Sequence, residues 1–264
     1  MRYVASLSGG LASAVSADRA IHRYGRDAVE LVFADTSWED EDLHRFKDDI
    51  MVRWGGQLRV LRDGRNPLQV AEDKQIIPNS NIAPCSLALK IKLFNDDDRD
   101  GPKPVTRLLG LDWREMHRVN RMRIRYIDLE TDGMFVDFPL LWTPLIHKPY
   151  FDVVQYDWGI EAPRLYKMGF SHNNCGGRCV KQGAAEWLRL KRYFPDRFNE
   201  VRDWEQTQRS KGGPRGTFGI LRDRIGGKSH PLTLAELEQR GVASDGMPMT
   251  DDMFSCVCGD GEAS

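Results

Sequence analysis

The chain has 264 residues, 29% of them charged, and a formal net charge of −1. That length fits one α/β domain of ordinary size plus appendages, and the near-neutral balance leaves any contact with nucleic acid to a local patch. No run of about 18 apolar residues occurs, and the N-terminus opens on a strand-like segment, so the expectation is a cytoplasmic protein without membrane span or signal peptide.

Tyr3-Val4-Ala5 reads as a strand, Ser6-Leu7-Ser8-Gly9-Gly10-Leu11-Ala12-Ser13 as a loop, and Ala14 to Tyr24 as a helix. A strand that ends in Ser-Gly-Gly-x-x-Ser and opens a helix gathers backbone N–H groups, hydroxyls and the positive end of a helix dipole around one concavity, which suits an anion. Gly9 and Gly10 let the backbone approach phosphate oxygens, while Ser6, Ser8 and Ser13 bring hydroxyls. A plain Gly-Gly turn is the alternative. The loop is not a Walker A motif, because Ser13 is followed by Ala14 and no Lys-Ser or Lys-Thr closes it.

Val29 to Ala34 is a second strand stopping at Asp35, and Asp40 to Trp54 a helix. This β-loop-α-β start predicts a parallel, twisted sheet flanked by helices, with the Ser8 and Asp35 loops facing one crevice at the strands' carboxyl ends. Asp35 alternatively just leads into the helix, and Glu39-Asp40-Glu41-Asp42 reads as a solvated first turn. Gln57 to Leu61 gives a third strand. Ser86 is a plausible N-cap for a helix running to about Asn95, which places the Cys85 thiol near the dipole's positive end; a small buried apolar residue is the other reading. Asn95 to Pro104 is a polar turn before the fourth strand, Val105 to Leu109, after which Gly110 permits a tight turn over a ligand. Arg114, Arg118, Arg121 and Arg125 share one helix face, either for polyphosphate, sulfate or nucleic-acid backbone or as a solvated stripe.

Asp137 to Trp142 closes the first domain, Tyr150 to Trp158 is a short helix, and Pro163 starts another that Gly169 caps. The chain has five cysteines, an odd number that reads as metal ligands or reactive thiols. Cys175-Gly-Gly-Arg-Cys179 and Cys256-Val-Cys258 supply four thiols, enough for Zn²⁺ or an iron–sulfur cluster. Cys85 and His172 are reserve ligands, a Cys85, Cys175 and Cys179 cluster is an alternative, and unligated thiols in a mobile tail are another. Val180 to Phe194 is an amphipathic helix with Trp187, Leu190 and Phe194 on one side, and Pro195 starts another carrying Phe198, Val201 and Trp204, all read as core. Ser210 to Gly216 is a linker or phosphate-contacting flap, and Leu232 to Arg240 a small helix capped by Thr233. The divisions expected are 1–145 for nucleotide binding, 146–210 for a helical extension with the cysteine turn, and 211–264 for a C-terminal flap and tail.

Several blocks resemble the PP-loop superfamily, which includes ATP pyrophosphatases and phosphoadenylyl-sulfate reductases. They are the Ser6–Ser13 loop, Phe33 to Glu39, Cys85 to Ile91, Leu109 to Glu115 with Arg118 and Arg121, and Leu165 to Cys175, in the family's order over roughly residues 1–200. The resemblance implies a Rossmann-like PP-loop fold with a helical C-terminal part. It implies that ATP, with Mg²⁺, binds at Ser6, Ser8 to Ser13, the backbone of Phe33 to Asp35, and Gly110, with Lys90, Arg118 and Arg121 facing the phosphates. The activity implied is adenylation of a substrate oxygen with pyrophosphate release, coupled to sulfur delivery from a cysteine-bound cluster. Reductive cleavage of a sulfated adenylate by a thiolate such as Cys85 is the alternative, and a non-catalytic nucleotide-binding subunit a third, since Ala12 stands where the ATP-pyrophosphatase branch carries Asp. The substrate is a nucleic-acid base or a small metabolite, and a homo-oligomer is left open.

Overall fold

The computed structural model describes residues 1–240. Its centre is a five-stranded, all-parallel sheet in the order β3-β2-β1-β4-β5. The strands are β1 (Arg2–Ser6), β2 (Val29–Asp35), β3 (Leu58–Arg62), β4 (Val105–Leu108) and β5 (Met134–Asp137). β2 is apolar almost throughout, as a strand covered on both faces must be. β5 is an edge strand that the sequence reading omitted; its four residues, Met-Phe-Val-Asp, are too few to show a period. The order reverses between β1 and β4, which makes the carboxyl ends of these two strands the place where connections diverge and a crevice opens.

Helix α1 (Leu11–Tyr24) buries Ala14, Val15 and Ala17. Helix α2 (Glu41–Trp54) starts at Asp40, whose carboxylate accepts the Asp42 N–H at 3.0 Å. Asp40 is fully buried, so the acidic run is not the solvated turn expected: Arg164 and Arg197 both reach its carboxylate, while Arg45 pairs with Asp42. Helix α3 (Pro67–Asp73) carries an Asn66/Gln69 capping box.

Helix α4 spans 84–100, with α-helical parts Pro84–Ser86 and Lys92–Asp100 around a π-helical stretch, Leu87–Ile91. Ser86 is therefore inside the helix; Ala83 is the N-cap, and Pro84, whose missing N–H costs nothing at a first helical position, opens it. The acidic stretch read as a turn is its last part. It stays helical because cations take its carboxylates, Lys92 at Asp96, Arg59 at Asp97 and Arg107 at Asp98.

A 3₁₀ turn, Trp113–Glu115, leads into α5 (Met116–Ile127), so the four arginines do fall on one helical segment. Beyond β5 the chain crosses the α1 and α2 side of the sheet, where Leu140, Val154 and Ala162 share a core with Leu11, Val15, Phe46 and Ile50. Helices α6 (Ala184–Tyr193) and α7 (Pro195–Ser210) form a second core in which Trp187 and Phe198 are fully buried at a 6.4 Å centroid distance. α6 starts later than expected because Gln182 and Gly183 turn back on Cys179. After the 3₁₀ turn Gly213–Thr217, a hairpin of β6 (Leu221–Ile225) and β7 (Lys228–Leu232) closes on Gly226-Gly227, both at positive φ as a two-residue hairpin turn requires. Helix α8 (Leu234–Gln239) follows, with Thr233 and Glu236 in a capping box. Among the described residues no helix is long and apolar enough to cross a membrane.

Candidate functional site

At the carboxyl ends of β1 and β4 lies a cleft of about 870 Å³. One wall is the start of α1. Gly10, its N-cap, has extended φ/ψ and no side-chain cap, and the first bond of the helix runs from Ala14 N–H to Gly10 O at 3.2 Å. Leu11, Ala12 and Ser13 consequently have amides without intrahelical acceptors, at the positive end of a 14-residue dipole. The loop is braced from within: Ser13 Oγ donates to Gly10 O at 2.8 Å and accepts from Ser8 N–H at 3.1 Å. Ser6, Ser8, Gly10, Ala12 and Ser13 line the cleft. Gly9 stands behind it at φ +78, where a Cβ would lie 2.6 Å from Leu43.

Gly110 follows β4 and touches this helix start. A Cβ there would be 2.9 Å from Ser13 Cα and 3.0 Å from both Ala12 O and Ser13 N, so only glycine lets the two loops meet.

The opposite wall comes from α4 and α5. Lys90, Arg118 and Arg121 line the cleft, with Arg114, His117 and Arg125 farther along. Lys90 is buried and stands 3.9 Å from Glu39, and Arg118 is buried against Glu115. At the floor, Arg107 is held by Asp98 (2.6 and 3.0 Å) and Asp97 (3.2 Å) and donates to Ser6 Oγ at 3.3 Å. Tyr126 adds a bond to Asp98; burial first, and then the Asp98 charge, push its hydroxyl up to about 12. Tyr150 donates to Asp112 at 2.8 Å, and burial together with that bond raises its pKa strongly.

The third side is Ser171 to Asn174. Asn173 is buried and donates from Nδ2 to Gly9 O at 3.1 Å, tying this segment to the α1 loop. His172 is buried on the cleft wall, and its Nδ1 has no hydrogen-bond partner among the described residues. The chain then passes through Cys175 and Gly176, both left-handed at φ +56. Cys175 N–H donates to Glu39 Oε2 at 2.8 Å, and Thr36 Oγ1 to Glu39 Oε1 at 2.8 Å. Cys85, Cys175, Cys179 and Lys90 line a separate cavity of about 20 Å³ beside the cleft, so Lys90 borders both spaces. The hydrogen bond to Cys179, then burial, raise the Cys175 thiol well above its ordinary pKa.

The structure thus brings Ser6, Ser8, Gly10, Ser13, Gly110, Lys90, Arg118 and Arg121 to one cleft. Phe33 and Asp35 are placed differently. Phe33 is buried under Lys47, whose ammonium lies 4.0 Å from the ring centroid, and Asp35 binds Ser37 N–H and Arg62; Ala34 between them is what lines the cleft. Cys85 borders the smaller cavity with Cys175 and Cys179, while Cys256 and Cys258 lie outside the described residues. Among the described residues no three Cys, His, Asp or Glu side chains stand together closely enough to hold a metal ion. Sequence reasoning missed Glu39, Arg107, Asn173 and the Asp112–Tyr150 pair. For Arg107 a signal existed: an arginine inside Val-Thr-Arg-Leu must find buried acids, and Asp96 to Asp98 are close in sequence.

Sheet order and loop geometry define an α/β protein with an uncapped helix start at the point where strand order reverses. No protein-family model and no curated protein sequence matches the chain. Among solved structures, the phosphate complex of a phosphoadenylyl-sulfate (PAPS) reductase from Candida auris is similar over 64% of this chain and 79% of its own, at 16% identity and a TM-score of 0.43.

Proposed function

We propose that the chain is an enzyme that binds an adenine nucleotide with its phosphates against Leu11, Ala12 and Ser13 and activates a substrate oxygen by adenylation. The observation that carries this reading is the uncapped start of α1 opening onto a cleft whose other wall presents Lys90, Arg118 and Arg121. The substrate oxygen attacks the α-phosphorus, the bond to the bridging oxygen of the β-phosphate breaks, and pyrophosphate leaves with the electron pair. The proton of the attacking group passes to solvent. The cations neutralise charge developing on the phosphates, and loss of one such group costs about 10²–10³ in kcat.

Mg²⁺ held by protein carboxylates does not suit this cleft: Asp112 is engaged by Tyr150 and the Arg114 N–H, and Glu115 by Arg118. Thiols from Cys85, Cys175 and Cys179 suit zinc or an iron–sulfur cluster by donor chemistry, but as placed these three residues do not form a closed ligand set.

A second reading is thiol-dependent reduction of a sulfated adenylate, favoured by the placement of Cys85, Cys175 and Cys179 with Lys90 around one small cavity, while the raised pKa of Cys175 works against a thiolate at that position. Titration calorimetry with ATP and with 3′-phosphoadenylyl sulfate tests the shared site, with Ser8→Ala expected to weaken both. Pyrophosphate release from ATP supports adenylation, and sulfite release that depends on added thiol supports the second reading. Unchanged affinity in Ser8→Ala overturns the placement of the phosphates.

A further inference from the structure

We propose that the outer part of the cleft takes a single strand of nucleic acid, with one base stacked on Trp113 and the phosphates following Arg114 and Arg125. This rests on the nucleotide reading above and names the class of the second substrate.

Size is the first argument. The cleft holds about 870 Å³, within the 300–1,000 Å³ of small-ligand sites, so it is its length and not its volume that carries the argument. Its phosphate-binding end is built from α1, Gly110 and Lys90, and its other end remains lined by different residues. From Arg114 to Arg125 the wall runs roughly 16 Å at 1.5 Å per residue, which exceeds the reach of one triphosphate and matches a row of phosphodiesters.

Charge is the second argument. The protein as a whole is near neutral at −1, yet this wall of the cleft carries Arg114, Arg118, Arg121 and Arg125 against Asp112 and Glu115. Glu115 is taken by Arg118, Asp112 accepts from Tyr150 and lies 3.8 Å from Arg114, and Arg125 has no acidic partner among the described residues. Positive charge concentrated on one concave wall of a neutral protein is the electrostatic footprint of a polyanion.

The aromatic at the mouth is the third argument. Trp113 lines the cleft while remaining 42% exposed. The Arg114 guanidinium lies 5.0 Å from its ring centroid and the His147 ring 6.2 Å away, so an arginine and an imidazole flank the indole. An exposed indole among arginines is the arrangement on which an unpaired base stacks, and a base held in a duplex does not reach such a recess.

The test uses fluorescence anisotropy with a labelled single-stranded oligonucleotide and its duplex on the full chain, with ATP binding measured on the same samples. Single strand is expected to bind in preference to duplex. With two phosphates neutralised at a salt slope of about 0.7 each, affinity falls about sevenfold between roughly 50 and 200 mM salt. Trp113→Ala weakens strand binding about tenfold, Trp113→Phe restores most of it, and Arg125→Ala lowers the salt slope by about 0.7. Should Trp113→Ala also lose ATP binding, Trp113→Phe and Arg125→Ala decide the matter. Absence of strand binding, equal binding of duplex, displacement by a free mononucleotide as effective as by the strand, or indifference to these substitutions while ATP still binds, overturns the proposal. Loss of ATP binding by the unmodified protein would instead count against the nucleotide reading.

Discussion

Replacing Gly110 by alanine tests the contact on which the proposed phosphate site depends. The added methyl would stand 2.9 Å from Ser13 Cα and 3.0 Å from Ala12 O and Ser13 N. Carbon contacts relax at 3.5–4.0 Å, so the two backbones must part by about 0.5–1 Å. These neighbours are main-chain atoms of the first helical turn and cannot rotate away. Overpacking of this kind costs about 1–3 kcal/mol in stability. The same displacement tilts the Ala12 and Ser13 amides away from the phosphates, and loss of one charge-assisted hydrogen bond, at about 1.5–3 kcal/mol, weakens nucleotide binding about 10- to 100-fold. Urea denaturation reads the first effect and titration calorimetry with ATP the second. Gly183→Ala is the control: it is the N-cap of α6 at φ −79, and a Cβ there meets nothing within 4 Å. It should cost no more than about 1 kcal/mol and leave nucleotide affinity unchanged. Nucleotide affinity within twofold of wild type in Gly110→Ala would refute the placement of the phosphates beside this turn.

Asp98→Asn leaves Arg107, which is 2% exposed, with Asp97 as its remaining carboxylate; the expected loss is about 3 kcal/mol, the lower end for a broken buried pair, and a urea midpoint equivalent to less than about 1 kcal/mol would show that Asp97 suffices. Glu205 is fully buried in α7, and burial pushes its carboxyl up to about 7 although it accepts the Ile220 and Leu234 N–H groups at 2.7 Å each. The folded chain therefore keeps this proton to higher pH than the unfolded chain does. Its contribution to stability is fully present below the ordinary glutamate value and is lost as pH rises to about 7. That loss is about 3 kcal/mol at most, and Glu205→Gln should remove it from the difference between urea midpoints at pH 4 and pH 8; an identical pH dependence in both proteins would be the contrary result. Cys175, its thiol raised by the Cys179 hydrogen bond and by burial, should label with iodoacetamide at neutral pH far more slowly in the folded than in the urea-unfolded chain; equal rates by mass spectrometry would contradict the placement.

The elements that carry the cleft were legible because their signals are local. Tyr3-Val4-Ala5 before Ser-Gly-Gly, the apolar run to Asp35, and the arginine spacing each fix a strand end or a helix face within a dozen residues. The Thr233 cap and the Pro195 start were legible for the same reason. What escaped depended on distant partners. Whether Asp96, Asp97 and Asp98 end a helix or continue it is settled by Arg59 and Arg107, which come from two other strands. Whether Glu39 and Asp40 are solvated is settled by Cys175, Arg164 and Arg197, more than 120 residues later. The Gly226-Gly227 hairpin is the exception: its turn signal was local, but its flanking strands are polar and short enough to hide the alternation.

These long-range bonds also show why the cleft is not the property of the opening β-loop-α unit alone. Gly9 must hold φ +78 for the loop to turn, and its carbonyl is fixed from outside by Asn173. Two residues later Cys175 binds Glu39, which faces Lys90 on the far wall and also accepts from Thr36 at the end of β2. The loop after β1, the loop after β2, α4 and the cysteine turn are thereby connected through one buried carboxylate and one buried amide. A buried, bonded carboxylate is costly to leave unmatched, so each of these contacts favours the placement of the segments it joins. The cysteine turn, remote in sequence, is in this way part of what shapes the cleft: Asn173, two residues before Cys175, fixes the Gly9 carbonyl of the α1 loop.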